Sequence, residues 1–125
     1  MKGFVKVWAI HDHKLHKDLE KAHIGAVLTI CCNSKSDFCY TSGEKGILKK
    51  WDLKKGALSI DHGQIHEEIV WCIALTNNDE YLFATDDNGK LKQWYVKNDF
   101  RLIRDYGQAH ECVIRAIACT PDSEF

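Results

Sequence analysis

Net charge is nearly absent from this chain: 17 Lys and Arg stand against 18 Asp and Glu, leaving −1 over 125 residues at neutral pH. Such a balance excludes the basic stripe of a nucleic-acid binder and the polybasic field of a membrane-surface protein. No apolar run approaches the about 20 residues that a membrane helix needs. The opening MKGFVKVWAIHDHK has too short an apolar stretch for a signal peptide and no small-residue cleavage site. No apolar stripe recurs at helical spacing, no Cys-x-x-Cys pair occurs, and there is no low-complexity segment or linker. The length suits one domain with its own core.

What the chain does have is a period. Trp8, Trp51 and Trp94 stand 43 residues apart, and in two segments a Trp follows a His by 28 positions, His23 to Trp51 and His66 to Trp94. A third segment begins at His110. Four positions after each His comes a β-branched residue (Val27, Val70, Ile114), and seven after comes isoleucine (Ile30, Ile73, Ile117). An acid precedes each His by five (Asp18, Asp61, Asp105), and a glycine precedes each Trp by five (Gly3, Gly46, Gly89). A fixed period in the low forties marks a repeat architecture.

Within each unit, short runs rich in β-formers are separated by polar turns. AVLTICC, FCYTS and ILKKWDL are broken by NSKSD and GEKG, and the same order recurs through residues 56–95 with turns at LKKG, TNND and TDDNG. RLIRDY and VIRAIAC follow. Strand spacing of about ten residues between such turns predicts an all-β chain. Residues 1–20 read as the end of one unit, 21–63 as the first full repeat, 64–107 as the second and 108–125 as the start of a third, all in one domain.

The His-to-Trp spacing, the pair Trp51-Asp52 and the segments GILKKWD and NGKLKQW resemble the WD-repeat (WD40-type) β-propeller family over essentially the whole chain. The resemblance implies a partial β-propeller, with two full four-stranded blades flanked by incomplete ones. Propellers close with about 4–8 blades, so the chain reads as part of a longer protein or as a piece that assembles with other chains. The family's structural tetrad, a hydrogen-bonded chain of loop His, hydroxyl, acid and Trp, carries over to His23, Ser42 and Trp51 in one blade. In the next it carries over to His66, Thr85, Asp86 and Trp94, with His110 opening a third. The sequence departs from the family pattern at Ala22-His23, Ile65-His66 and Ala109-His110, which replace Gly-His. Lys45 and Asn88 stand where the turn acid normally does.

The six cysteines read as small core residues of a reducing compartment, because Cys32 and Cys119 align with Leu75 and Cys39 aligns with Leu82. Cys31 and Cys32 point to opposite faces of one strand. His11, Asp12, His13 and His16 read as a solvated loop rather than a metal site. Cys112 and His110 lack the third member and oxyanion donors that a nucleophile needs. Lys45, Lys49, Lys50, Lys54 and Lys55 read as a solvated face, interrupted by Glu44 and Asp52. No cofactor, metal site or catalytic residue is expected.

In the family, the rim where each His loop enters its strand commonly receives partner proteins or peptides. Here that rim holds Glu67, Glu68 and Trp71, and in the next unit Glu111, Cys112 and Arg115. Trp and Arg are frequent interface anchors, and the paired acids suit a basic partner; the plainer reading packs Trp71 between blades, as Leu28 would be. The expected function is a non-catalytic protein-interaction scaffold in an intracellular setting, cytoplasmic rather than nuclear. The alternative is a targeting or regulatory propeller segment of a larger enzyme, such as a kinase or ubiquitin ligase, whose catalytic part lies outside this chain.

Overall fold

The computed structural model describes residues 3–9, 14–23, 25–35, 37–76, 78–97 and 100–108. Every element in them is a strand, and every pairing is antiparallel. β1 (Gly3–Ala9) and β2 (Lys14–His23) form a two-stranded sheet. β3 (Val27–Cys32), β4 (Phe38–Gly43), β5 (Ile47–Asp52) and β6 (Ala57–Gln64) form a four-stranded meander. A second meander repeats it with β7 (Val70–Leu75), β8 (Tyr81–Asp86), β9 (Lys90–Tyr95) and β10 (Arg101–Gln108). The expected all-β fold with two four-stranded units is therefore present.

The polar runs between strands close the hairpins. Asn33 Oδ1 accepts from the Asp37 and Phe38 amides at 3.1 and 3.0 Å, which pins the β3–β4 turn. Thr76 Oγ1 accepts from the Tyr81 amide at 3.1 Å and so pins the β7–β8 turn. Gly46 is required by two constraints at once. Its φ is +68°, in the left-handed region, and a Cβ there would run into the His66 carbonyl oxygen.

The three sheets stack in chain order, each covering one face of the next. Val5 and Leu19 of the leading hairpin pack on Cys39 and Trp51. Tyr40 and Leu48, on the other face of the first meander, pack with Ile65, Val70, Ile73, Leu82, Ala84 and Val96. Two polar ties cross the same gap. Ile73 N donates to Thr29 Oγ1 at 3.1 Å, and Asp79 accepts from both the amide and the hydroxyl of Ser34 at 2.8 and 2.6 Å. At the outer edge, Phe100 stacks on Trp94 at 4.8 Å and on His62 at 4.0 Å between centroids, so an aromatic ladder joins the two meanders.

The burial of the cysteines corrects part of the sequence reading. Cys39 is buried, as its alignment with Leu82 requires, but Cys32 is exposed. Ile30, on the same face two residues earlier, is 51% exposed, whereas the aligned Ile73 is 4% exposed. The leading hairpin reaches Cys39, Trp51 and Val27, and its cover stops short of the rest of β3. The second meander has a full four-stranded neighbour on that face.

Candidate functional site

Each meander carries a Trp on the face that meets its predecessor, and a His from the chain leading into the meander pairs with that site. In the first, Cys39 of β4 lies opposite Trp51 of β5. Strand alternation then puts Thr41 on the Trp51 face and Ser42 on the other. Trp51 Nε1 donates to Thr41 Oγ1 at 2.9 Å, and His23 Nε2 lies 2.6 Å from the same oxygen. The Thr41 oxygen thus joins the two rings, accepting from the indole N–H, and its hydroxyl hydrogen serves His23 Nε2 when the neutral ring carries its proton on Nδ1. Burial, reinforced by Lys49, holds the His23 pKa below its ordinary value against the opposing pull of Asp61. The hydroxyl of the first chain is thus Thr41 rather than the expected Ser42, whose Oγ donates to the Ile47 carbonyl at 2.8 Å.

The second meander holds the complementary half. His66 Nδ1 lies 3.0 Å from Asp86 Oδ2, both side chains being buried. Asp86 Oδ1 accepts from the Asn88 and Lys90 amides, each at 3.0 Å, so one carboxylate orients the ring and closes the β8–β9 turn. Burial outweighs the carboxylate, and the His66 pKa lies below its ordinary value. Leu82 pairs with Trp94 as Cys39 does with Trp51, which places Ala84 where the first meander has Thr41. Thr85, expected as the Trp94 partner, faces the other way and donates to the Cys72 carbonyl at 3.4 Å. Accordingly His66 Nε2 and Trp94 Nε1 are buried without a hydrogen-bond partner.

The missing acid of the first meander has an equally local cause. Gly43 pairs with Val27 as Asp86 pairs with Val70. A Cβ at Gly43 would run into the Ala26 carbonyl oxygen. These two chains are internal braces, and neither opens to a substrate.

The exposed chemistry lies at the end of the sheets where the His loops run. Ile65 N donates to Gly46 O at 2.8 Å, and Asp87 N donates to Ile69 O at 2.9 Å, so the 65–69 loop is held between the β4–β5 and β8–β9 turns. Glu67 and Glu68 are exposed on it, with Glu44 and Asp87 exposed on the flanking turns. Trp71 is half-buried, and its indole N–H donates to Asp87 Oδ1 at 2.7 Å on the surface. The inter-blade packing weighed for Trp71 is therefore incomplete: its indole N–H reaches the surface at Asp87. From sequence, Glu44 reads only as an interruption of the lysine face, and Asp87 is not assigned to the rim. The signal available was their place in the two turns that flank the loop. His110, Glu111, Cys112 and Arg115 lie outside the described residues.

Among the described residues no group of three or more His, Cys, Asp and Glu is placed to hold a metal ion, and no helix is long and apolar enough to cross a membrane. Of the lysines read as a solvated face, Lys50 departs: its ammonium sits 4.3 Å above the Phe38 ring.

Residues 60–95 match the family model described as WD domain, G-beta repeat. The matched stretch runs from within β6 to the end of β9, across the His66–Asp86 pair and Trp94. A comparison with curated proteins gives no match. The matched stretch is therefore a WD-type repeat, and the two antiparallel four-stranded sheets are consistent with blades of the partial propeller that the resemblance implied. Repeats of this family serve in general as protein-interaction scaffolds and are in general non-catalytic.

Proposed function

We propose that this chain is an interaction scaffold whose rim at Glu67, Glu68 and Trp71 receives a basic, extended segment of a partner protein. The observation that carries the reading is the exposed set of Glu44, Glu67, Glu68 and Asp87 around a half-buried Trp71 whose indole is already oriented by Asp87. A pre-oriented aromatic ring offers contact area at small entropic cost, and the acids supply attraction for Lys and Arg. Cys39 and Cys72, buried as small core residues, support an intracellular setting for that partnership.

The test is fluorescence anisotropy with a library of short Lys/Arg-rich peptides that carry one apolar residue. Binding should weaken as salt is raised, because the acids are exposed. Trp71→Ala should weaken it by about tenfold or more, and Glu67→Lys with Glu68→Lys should turn the preference towards acidic peptides. Binding that ignores all three changes would place the partner surface elsewhere.

A further inference from the structure

Cys32 and Cys39 face each other across the β3–β4 hairpin. They are the last direct partners of the antiparallel register, and Asn33 and Phe38 are the next residues outward. Asn33 N donates to Phe38 O at 3.1 Å, making that outer pair the hydrogen-bonded kind. Antiparallel pairs alternate, so Cys32 and Cys39 form a non-hydrogen-bonded pair, with Cα atoms at about 4.5 Å and side chains on one face. A disulfide needs Cα atoms about 4.4–6.8 Å apart, and this pair falls at the short end of that window. The hairpin is held by its own turn, where Asn33 bonds to Asp37 and Phe38 through side chain and backbone, so the two thiols stay opposed.

We propose that Cys32 and Cys39 are a thiol–disulfide modification site, bridged reversibly by exchange with a low-molecular-weight disulfide of the glutathione class. The two thiols differ in access, and access sets the order of events. Cys32 is exposed and Cys39 is buried beside Trp51. The Cys32 thiolate attacks one sulfur of the small disulfide and releases one small thiolate, leaving a mixed disulfide on Cys32. The Cys39 thiolate then attacks Cys32 Sγ, the mixed bond breaks and the second small thiolate leaves. Two protein thiols are oxidised, one small disulfide is reduced to two thiols, and the two protons pass to the released thiolates or to solvent. Burial raises the Cys32 thiol as well, but burial, with Cys32 adding to it, pushes the Cys39 thiol up to about 12, so the second step is the slow one. Its rate should therefore rise with pH, because the thiolate is the nucleophile.

The experiment treats the folded 125-residue chain with excess oxidised glutathione and follows intact mass and tryptic peptides. The expected product has lost two hydrogens and links the peptide holding Cys31 and Cys32 to the peptide holding Cys39; dithiothreitol restores both thiols. Cys31→Ser should keep the link and Cys32→Ser should abolish it. Cys39→Ala should trap glutathione on Cys32, with an unchanged circular-dichroism spectrum showing that the variant folds. Bridging should also change Trp51 emission in the native chain. A wild-type chain that keeps glutathione on Cys32, joins Cys39 to another cysteine, or stays reduced while the denatured chain becomes bridged would overturn the proposal.

Discussion

Ala84 stands in the second meander where Thr41 stands in the first, and the missing hydroxyl leaves a bare acceptor and a bare donor on either side of it. Thr41 joins His23 to Trp51 through a single oxygen. At the matching place His66 Nε2 and Trp94 Nε1 are both buried and unpartnered. With Nδ1–H directed at Asp86, His66 Nε2 is a lone pair awaiting a donor, while the Trp94 indole N–H awaits an acceptor. One hydroxyl can serve both. The two meanders thus hold complementary halves of a four-residue chain, the first without its acid and the second without its hydroxyl.

Ala84→Ser should therefore stabilise the protein. Two buried orphan groups gain partners, each worth about 1 kcal/mol, less the cost of fitting an oxygen at a fully buried position. A net gain of about 1 kcal/mol is expected, read as a higher urea midpoint at unchanged slope. Serine at the neighbouring position, Thr85→Ser, should give no gain, because that side chain faces away from Trp94.

The two tryptophans should respond differently to phenylalanine. Trp51→Phe removes the donor to a buried hydroxyl and should cost about 1–3 kcal/mol. Trp94→Phe removes an N–H that has no partner, keeps the stacking surface against Phe100, and should be nearly neutral. Paired thermal melts of the two variants check this. Equal losses would mean that Trp94 has found a partner after all.

Removing the second meander's acid should be severe. Asp86→Ala strands His66 Nδ1 and frees the Asn88 and Lys90 amides, for an expected loss of about 2–4 kcal/mol. Asp86→Asn keeps an oxygen for the turn amides and should cost clearly less. Chemical denaturation of both variants separates the turn contribution from that of the charge.

Three histidines, His23 and His66 buried and His62 half-buried, set the pH dependence. Burial is the leading cause that depresses His23, His62 and His66 below their ordinary value of 6.5; Lys49 and Lys50 add to it at the first two. Since the unfolded chain then binds protons more readily than the folded one, stability rises with pH in this range. The contribution is fully present above 6.5 and is lost as pH falls below 6.5 towards the folded-state values. Urea midpoints should be flat near neutrality and decline as pH is lowered, above the range in which carboxylates titrate. A midpoint that rises on acidification would show that the rings are charged in the folded state.

Several of these features were legible in the residues alone. The 43-residue spacing of Trp8, Trp51 and Trp94 and the alternation of β-forming runs with Asn, Asp and Gly turns dictate repeated antiparallel meanders, because strand periodicity and turn chemistry are local properties. Cys39 was placed in the core by its alignment with Leu82, and both are buried. What one-dimensional alignment could not supply was strand parity. The first unit offers two adjacent hydroxyls, Thr41 and Ser42, and the second offers only Thr85, so alignment on Thr85 selects Ser42. The actual partner follows from the pairing of Cys39 with Trp51, and a shift of one residue exchanges the faces.

Burial at matched positions was likewise decided by tertiary structure. Ile30 and Ile73 are the same residue at the same place in their repeats, yet one is exposed and the other buried. The repeat sequence specifies which side of each strand is apolar. Whether that side is covered depends on the sheet in front, a short hairpin for the first meander and a complete four-stranded sheet for the second.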